Sequence, residues 1–235
     1  MPADQDGRIP SGGGPLVFVD DLDDPVLAGD DHHHLARVRR VRDGDGIVLA
    51  DGSGRWVVAR MRGDHPEVAG DVTEVRRPDP PVGVGFGLTK GSKPEWCVQK
   101  LTELGVDRIV PFVAARSVVR WDDAKVDAAT HRFAKVAREA AMQSRSPWVP
   151  AVDPVTSFDV AVGLPGACRA DRGGDPPALA HPLVLVGPEG GWDDAERSAT
   201  APVVSLGSGV LRAETAVITA GVLLTALREG LVGSR

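Results

Sequence analysis

Cysteine is scarce in this chain of 235 residues: only Cys97 and Cys168 occur, far apart and without ligand-rich neighbours. Two such thiols exclude a disulfide framework and a cysteine-based zinc site, and isolated free cysteines of this kind are commonly core residues. Long apolar runs are missing as well, none reaching the roughly 18 to 20 residues that a membrane-crossing helix needs. The opening stretch MPADQDGRIPSGGG has neither the basic nor the apolar region of a signal peptide, so the chain reads as cytoplasmic, with no membrane partner. An excess of basic charge is absent too. The net charge of -6 argues against nucleic-acid binding by the whole surface, while a local basic stripe remains compatible with it.

What is present fits a folded protein. With 42% hydrophobic residues and both charge signs well represented, the chain is long enough for one large domain or two modest ones. Three prolines within Pro78-Asp79-Pro80-Pro81 interrupt strand-like patterns on either side, placing a linker over 77–81. Before it, LVFVDDL, DGIVLADGSG, RWVVARM and DVTEV are short β-rich runs separated by Asp-Gly and Gly-Ser-Gly turns. They predict a small all-β barrel or sandwich over 15–76. Residues 1–14 are rich in Gly, Pro, Asp and Ser, offer little to bury, and are expected to be mobile.

Beyond the linker, over 82–235, strands alternate with helices. Val82, Val84, Phe86 and Leu88 alternate as in a half-buried strand, and Ser92-Lys93-Pro94-Glu95 has the spacing of a capping box that opens a helix closed by Gly105. Arg108–Val113 forms the next strand, so this stretch reads as a right-handed parallel crossover. A long helix is predicted over 123–144, a loop from Pro165 to Pro182, strands at Leu183–Val186 and Val203–Leu206, and an apolar helix at Ala213–Arg228. Asp193 and Glu196 repeat the capping-box spacing. The whole is an α/β domain with a mostly parallel sheet.

Two glycine-rich turns stand out. LVGPEGGWDDAE leaves an apolar strand through Gly187, Gly190 and Gly191 and enters a helix, and LGSGVLRAETA does the same through Gly207 and Gly209. Such turns at the carboxyl ends of parallel strands expose main-chain groups to a ligand. Neither follows GxGxxG, and the first offers Trp-Asp where a phosphate-binding loop needs Lys-Ser or Lys-Thr, so nucleoside triphosphates are disfavoured. Taken alone, the first turn fits a structural role as readily as a ligand site.

In order and spacing, LTKGSKPEWCVQKLTELGVDRIVPFVAARSVV, REAAMQSR, LVGPEGGW and LGSGVLRAETA resemble the RsmE family of 16S ribosomal RNA uridine-N3 methyltransferases, of the SPOUT superfamily. HHHLARVRRVRDGDGIVLADGSG is similar to the PUA-like RNA-binding domain of that family. The resemblance implies a SPOUT-like parallel sheet with a trefoil knot behind a PUA-like barrel, S-adenosylmethionine as methyl donor, ribosomal RNA of the small subunit as substrate, and a homodimer. Carried onto matching positions, it places the cofactor among Leu185, Gly187, Pro188, Gly190 and Gly191 on one side and Leu206, Gly207, Leu211, Thr215 and Ala216 on the other, with Leu206 and Leu211 about the adenine. The chain departs from the family at Met142, at Ser144-Arg145-Ser146-Pro147-Trp148 and over 165–181.

The chemistry suits these residues. S-adenosylmethionine carries a sulfonium and no phosphate, so main-chain groups and apolar walls serve it better than a lysine-bearing loop. Methylation at uridine N3 requires loss of a proton and stabilisation of the charge that spreads onto the flanking carbonyl oxygens. Arg212 and Glu214 are the catalytic candidates, the first for O2, O4 or a phosphate and the second for a hydrogen bond or proton. The alternatives are a local ion pair between them and a proton taken by water. Lys90, Lys93, Arg116, Arg132 and Arg145 are candidate RNA contacts, as is the stripe Arg37, Arg39, Arg40 and Arg42. The adjacent histidines His32-His33-His34 point in different directions on a regular backbone, and no metal is expected. Two other readings remain open: methylation of another RNA position such as a ribose 2'-hydroxyl, and a non-catalytic RNA-binding or assembly protein.

Overall fold

The computed structural model of the chain describes residues 9–10, 12–29, 41–118 and 123–233. They divide into two compact units. The first takes the chain up to Arg77 together with Ala141–Val149, and the second takes Pro78–Ala140 and Pro150–Arg235. The break after Arg77 falls at the proline cluster, whereas the return of Ala141–Val149 to the first unit has no compositional signature.

The first unit holds β1 (Leu16–Phe18), β2 (Gly46–Ala50), β3 (Arg55–Arg62), β4 (His65–Val68) and β5 (Thr73–Glu74). They form one sheet in the order β1-β2-β3-β4, with β5 also on β3. β1 and β2 run parallel and the other pairs antiparallel. Alternation along β3 is clear: Trp56, Val57, Ala59 and Met61 are buried while Arg55, Arg60 and Arg62 face out. One cluster gathers Val17, Leu49, Val57 and Ala59, and a second gathers Ile9, Phe18, Val48, Trp56 and Ala141. The amino-terminal stretch therefore does bury something. Ile9 is in the core, and the carbonyls of Pro10 and Gly14 each accept a 2.6 Å hydrogen bond from the Arg145 guanidinium. Residues 1–8, His32–His34 and the candidate RNA contacts Arg37, Arg39 and Arg40 lie outside the described residues.

The second unit contains β6 (Gly83–Gly87), α1 (Lys93–Glu103), β7 (Arg108–Val113), α2 (Asp123–Ser144, whose last turn joins the first unit), β8 (Ala151–Val152), β9 (Thr156–Ser157), α3 (Phe158–Val162), β10 (Ala167–Asp175), β11 (Leu183–Val186), α4 (Asp194–Arg197), β12 (Val203–Val204) and α5 (Ala213–Arg228). Its sheet runs β12-β10-β11-β6-β7-β8 with β9 also on β7, and every pairing is parallel. Helices cover both faces, so the central strands are buried throughout instead of alternating. β6 shows this as a correction. It is buried at all five positions, because a Cβ on Gly85 would stand 2.5 Å from Leu185 Cδ2 and the neighbouring leucine fills that space.

Two further expectations are corrected. The capping box at the start of α1 does not form: Ser92, at φ -90° and ψ 9°, makes no side-chain cap hydrogen bond, and Glu95 pairs with Arg132 at 2.6 Å. The stretch taken as a loop after Pro165 contains the strand β10. β10 lacks apolar alternation because Ala170 and Asp175 both oppose Val204, which leaves Asp171–Gly174 bulged out of the ladder. By contrast, the capping box of Asp193 and Glu196 forms in both directions.

Candidate active site

In a parallel sheet, all strands end on the same edge, and a ligand site opens where neighbouring strands diverge into different connections. Here the residues that follow β6, β11 and β12 and the bulge of β10 enclose a cavity of about 780 Å³. Its walls combine glycine main chain, at Gly187, Gly191, Gly207 and Gly209, with the apolar side chains of Val186, Pro188, Leu206, Val210 and Leu211. Gly191 at φ 68° and Gly207 at φ 135° hold backbone conformations that side-chain-bearing residues rarely adopt, so these turns depend on glycine.

The floor is aromatic. Trp192 is 3% exposed, stacks on Phe112 with ring centroids 6.0 Å apart, and meets Phe158 at 5.1 Å. Its indole N–H donates to the Ala170 carbonyl at 2.8 Å, tying the turn after β11 to β10. Gly187 lies on the same ring, where a Cβ would come within 3.1 Å of Cε2.

Charge gathers at the rim. The Lys93 ammonium, on the first residue of α1, donates to Glu189 of the first turn and stands 3.5 Å from Glu214 of α5. The hydrogen bond to Glu189 raises the lysine above its ordinary pKa. Glu214 is held below the usual carboxylate range, chiefly by its own backbone N–H, with Lys93 and Arg212 adding to the effect. Arg212 itself is the exposed N-cap of α5 and has no ion-pair partner among the described residues. Of the two alternatives, a local ion pair of Arg212 with Glu214 is not formed; Glu214 pairs with Lys93 instead. Across the cavity, Asp171 of the bulge accepts a 2.5 Å hydrogen bond from Arg197.

Of the residues assigned to the cofactor, Gly187, Pro188, Gly191, Leu206, Gly207, Leu211 and Ala216 line the cavity together with Arg212 and Glu214. Three do not. The side chain of Leu185 is fully buried in the core, Gly190 is turned to Arg116, whose guanidinium donates to its carbonyl at 3.2 Å, and Thr215 is exposed on α5. Sequence reasoning missed Ala170, Asp171, Arg172, Arg197 and Ser205, all of which line the cavity. The first three were hidden by the unrecognised strand β10, and only Asp171-Arg172 at a bulge beside Gly173-Gly174 hinted at an exposed turn. Among the candidate RNA contacts, Lys93, Arg116, Arg132 and Arg145 have internal partners, and Lys90 is exposed.

Comparison with known proteins agrees with this architecture. Residues 77–225 match a family described as the RNA methyltransferase domain, and residues 27–66 match the RNA methyltransferase PUA domain. The chain is 36% identical to a ribosomal RNA small subunit methyltransferase E of Mycobacterium bovis, covering 87% of this chain and 88% of that protein. It belongs to the ribosomal RNA small subunit methyltransferase E family. The Bacillus subtilis member is 32% identical over 83% of this chain and 86% of its own length. Among solved structures, the Neisseria gonorrhoeae family member bound to S-adenosyl methionine superposes with a TM-score of 0.73 at 26% identity, covering 91% of this chain and 98% of that one. A putative methyltransferase of Legionella pneumophila, in complex with the same cofactor, gives 0.77 at 25% identity, with 91% and 97% covered.

Proposed function

We propose that this methyltransferase moves the methyl group of S-adenosylmethionine to N3 of a uridine in 16S ribosomal RNA of the small subunit. The observation that carries the reading is the cavity at the strand ends. Its volume suits a ligand of that size, and its glycine main chain and apolar walls match a ligand without phosphate. Bound S-adenosylmethionine supplies an electrophilic methyl on a sulfonium and leaves as a neutral thioether.

Residues of the chain account for the rest. Leu206 and Leu211 would enclose the adenine, and the main chain around Gly187 and Gly207 would supply donors and acceptors. Arg212, free of a carboxylate partner, stabilises the negative charge that N3 deprotonation spreads onto the uracil oxygens. Glu214 is held ionised, so it accepts a hydrogen bond from N3–H and orients the base. A carboxylate with a depressed pKa is a weak base, and the larger contribution is therefore assigned to the arginine. The proton lost from N3 would pass to Glu214 or to solvent.

The finer features follow the family reading: a trefoil knot in the parallel sheet, closure of the first unit into a PUA-like RNA-binding barrel, a homodimer, and action in the cytoplasm. Support for the dimer comes from α5, where Val222 remains 43% exposed on a helix with a buried opposite face. Single-turnover methyl transfer with saturating 16S RNA tests the catalytic assignment. Arg212→Ala should lower the rate by a factor on the order of 10² while cofactor and RNA affinities stay near wild type. Full turnover by that variant removes the charge-stabilising role, and mass mapping that finds the methyl on a ribose assigns the enzyme to 2'-hydroxyl chemistry instead.

A further inference from the structure

The TKGSK segment enters α1 directly beside the cavity, and by sequence its last lysine is a candidate phosphate contact. Its surroundings argue otherwise. Lys93 Nζ is engaged by Glu189 and approaches Glu214 at 3.5 Å, so two carboxylates already face this ammonium and weaken its attraction for a phosphate. The two carboxylates belong to different elements: Glu189 lies in the turn after β11, and Glu214 in the first turn of α5, where the loop through Gly207 and Gly209 ends. Both loops are rich in glycine and have few regular hydrogen bonds of their own. Glu214 Oε2 is in addition buried without a hydrogen-bond partner, so beside its own backbone N–H this carboxylate has the ammonium near its other oxygen.

We infer that Lys93 is a positioning residue: its ammonium bridges Glu189 and Glu214 and thereby sets the gap between the two loops that enclose the cofactor site. The inference rests on the proposed cofactor reading for its consequence and on the ion-pair geometry for its mechanism. Each pair, being partly exposed, contributes little by itself. Removal of the cation has a larger effect, because it leaves two carboxylates without the ammonium that both of them approach. The strand ends beneath stay in place, since they are held by the sheet and the Trp192 floor.

Hydrogen exchange of the full-length chain without cofactor is the direct test. In Lys93→Met, the amides of 187–191 and 207–214 should exchange at least several-fold faster together, while those of β7 keep their wild-type protection and report an intact fold. Lys93→Arg should restore most of the protection. Adding Glu189→Gln to Lys93→Met should recover part of it, because one of the two carboxylates left without the ammonium is then neutral. Calorimetric titration should show S-adenosylmethionine bound about tenfold more weakly by Lys93→Met, with the salt dependence of RNA binding unchanged. Unchanged exchange in the two loops overturns the inference, as does a loss that Lys93→Arg fails to repair. A salt slope reduced by about one, with cofactor affinity intact, overturns it in favour of a phosphate contact. A wild-type chain that shows the exchange pattern but binds no S-adenosylmethionine rejects the cofactor reading alone and leaves the clamp standing.

Discussion

Replacing Trp192 by alanine should cost this fold and its site together. The side chain is 3% exposed and contacts Phe112 and Phe158 at centroid distances of 6.0 and 5.1 Å. Truncation of a buried tryptophan costs about 3 to 5 kcal/mol through lost transfer energy and the cavity left behind. Aromatic pairing adds about 0.5 to 1.5 kcal/mol per contact, part of it already within that range. The Ala170 carbonyl also loses its donor. A loss of about 4 to 5 kcal/mol is expected, against a typical total of about 5 to 15 kcal/mol. Trp192→Phe separates the two components. It keeps a ring on Phe112 but removes the N–H, so about 2 kcal/mol should be lost, most of it from the unsatisfied carbonyl and the smaller ring. Because Gly187 lies on the indole, cofactor affinity should fall in the same order, wild type above Phe above Ala. Urea unfolding followed by circular dichroism measures the first quantity and calorimetric titration the second. An alanine variant within about 1 kcal/mol of wild type would refute the view that this aromatic floor supports the turn.

Asp107 accepts hydrogen bonds from the Val82 backbone N–H and from the nearly buried Arg228, joining the end of α5 to the sheet. Asp107→Ala leaves that guanidinium without its carboxylate, with the Gly105 carbonyl at 3.0 Å still accepting from it, and should destabilise by about 3 kcal/mol in urea unfolding; a loss below about 1 kcal/mol would show the pair to be dispensable. Burial pushes the Cys97 and Cys168 thiols up to about 12, so a thiol reagent at pH 8 should find both unreactive in the native chain and both reactive in denaturant. Gly85→Ala should overpack against Leu185 and lower stability by about 1 to 3 kcal/mol, with a shift in urea midpoint as the readout. Arg145→Met should leave the salt dependence of RNA binding unchanged, because this guanidinium is spent on Pro10 and Gly14.

The place of Ala141–Val149 changes how the two units can be tested. Gly54 at φ 96° lets Trp148 approach so closely that a Cβ there would stand 2.2 Å from the ring, and Arg77 stacks over the same indole at 5.1 Å. A fragment beginning near Pro81 keeps Ala141–Val149 but removes everything it packs against in the first unit. Loss of RNA binding by such a fragment would then mix two effects. Charge substitutions on the outward face of β3, at Arg55 and Arg60, test the RNA role without that damage.

Local chemistry is what the sequence alone determined here. Two glycine turns, each after an apolar run and before a helix, marked the segments that line the cavity, because strand ends and positive φ angles are written in short segments, as is the Asp193–Glu196 cap, which closes within four residues. Tertiary structure decided what depends on distant partners. It made β6 buried on both faces, because Leu183 and Leu185 take the space its glycines leave, and it turned the polar stretch after Ala167 into β10, because β11 and β12 supply hydrogen bonds to either side. It also set the charges. Lys93, Arg116, Arg132 and Arg145 look alike in sequence as free cations for RNA, yet each meets a carboxylate or carbonyl brought to it by the fold. A charge has no periodicity to betray its partner, so only the folded chain shows which cations remain for a substrate.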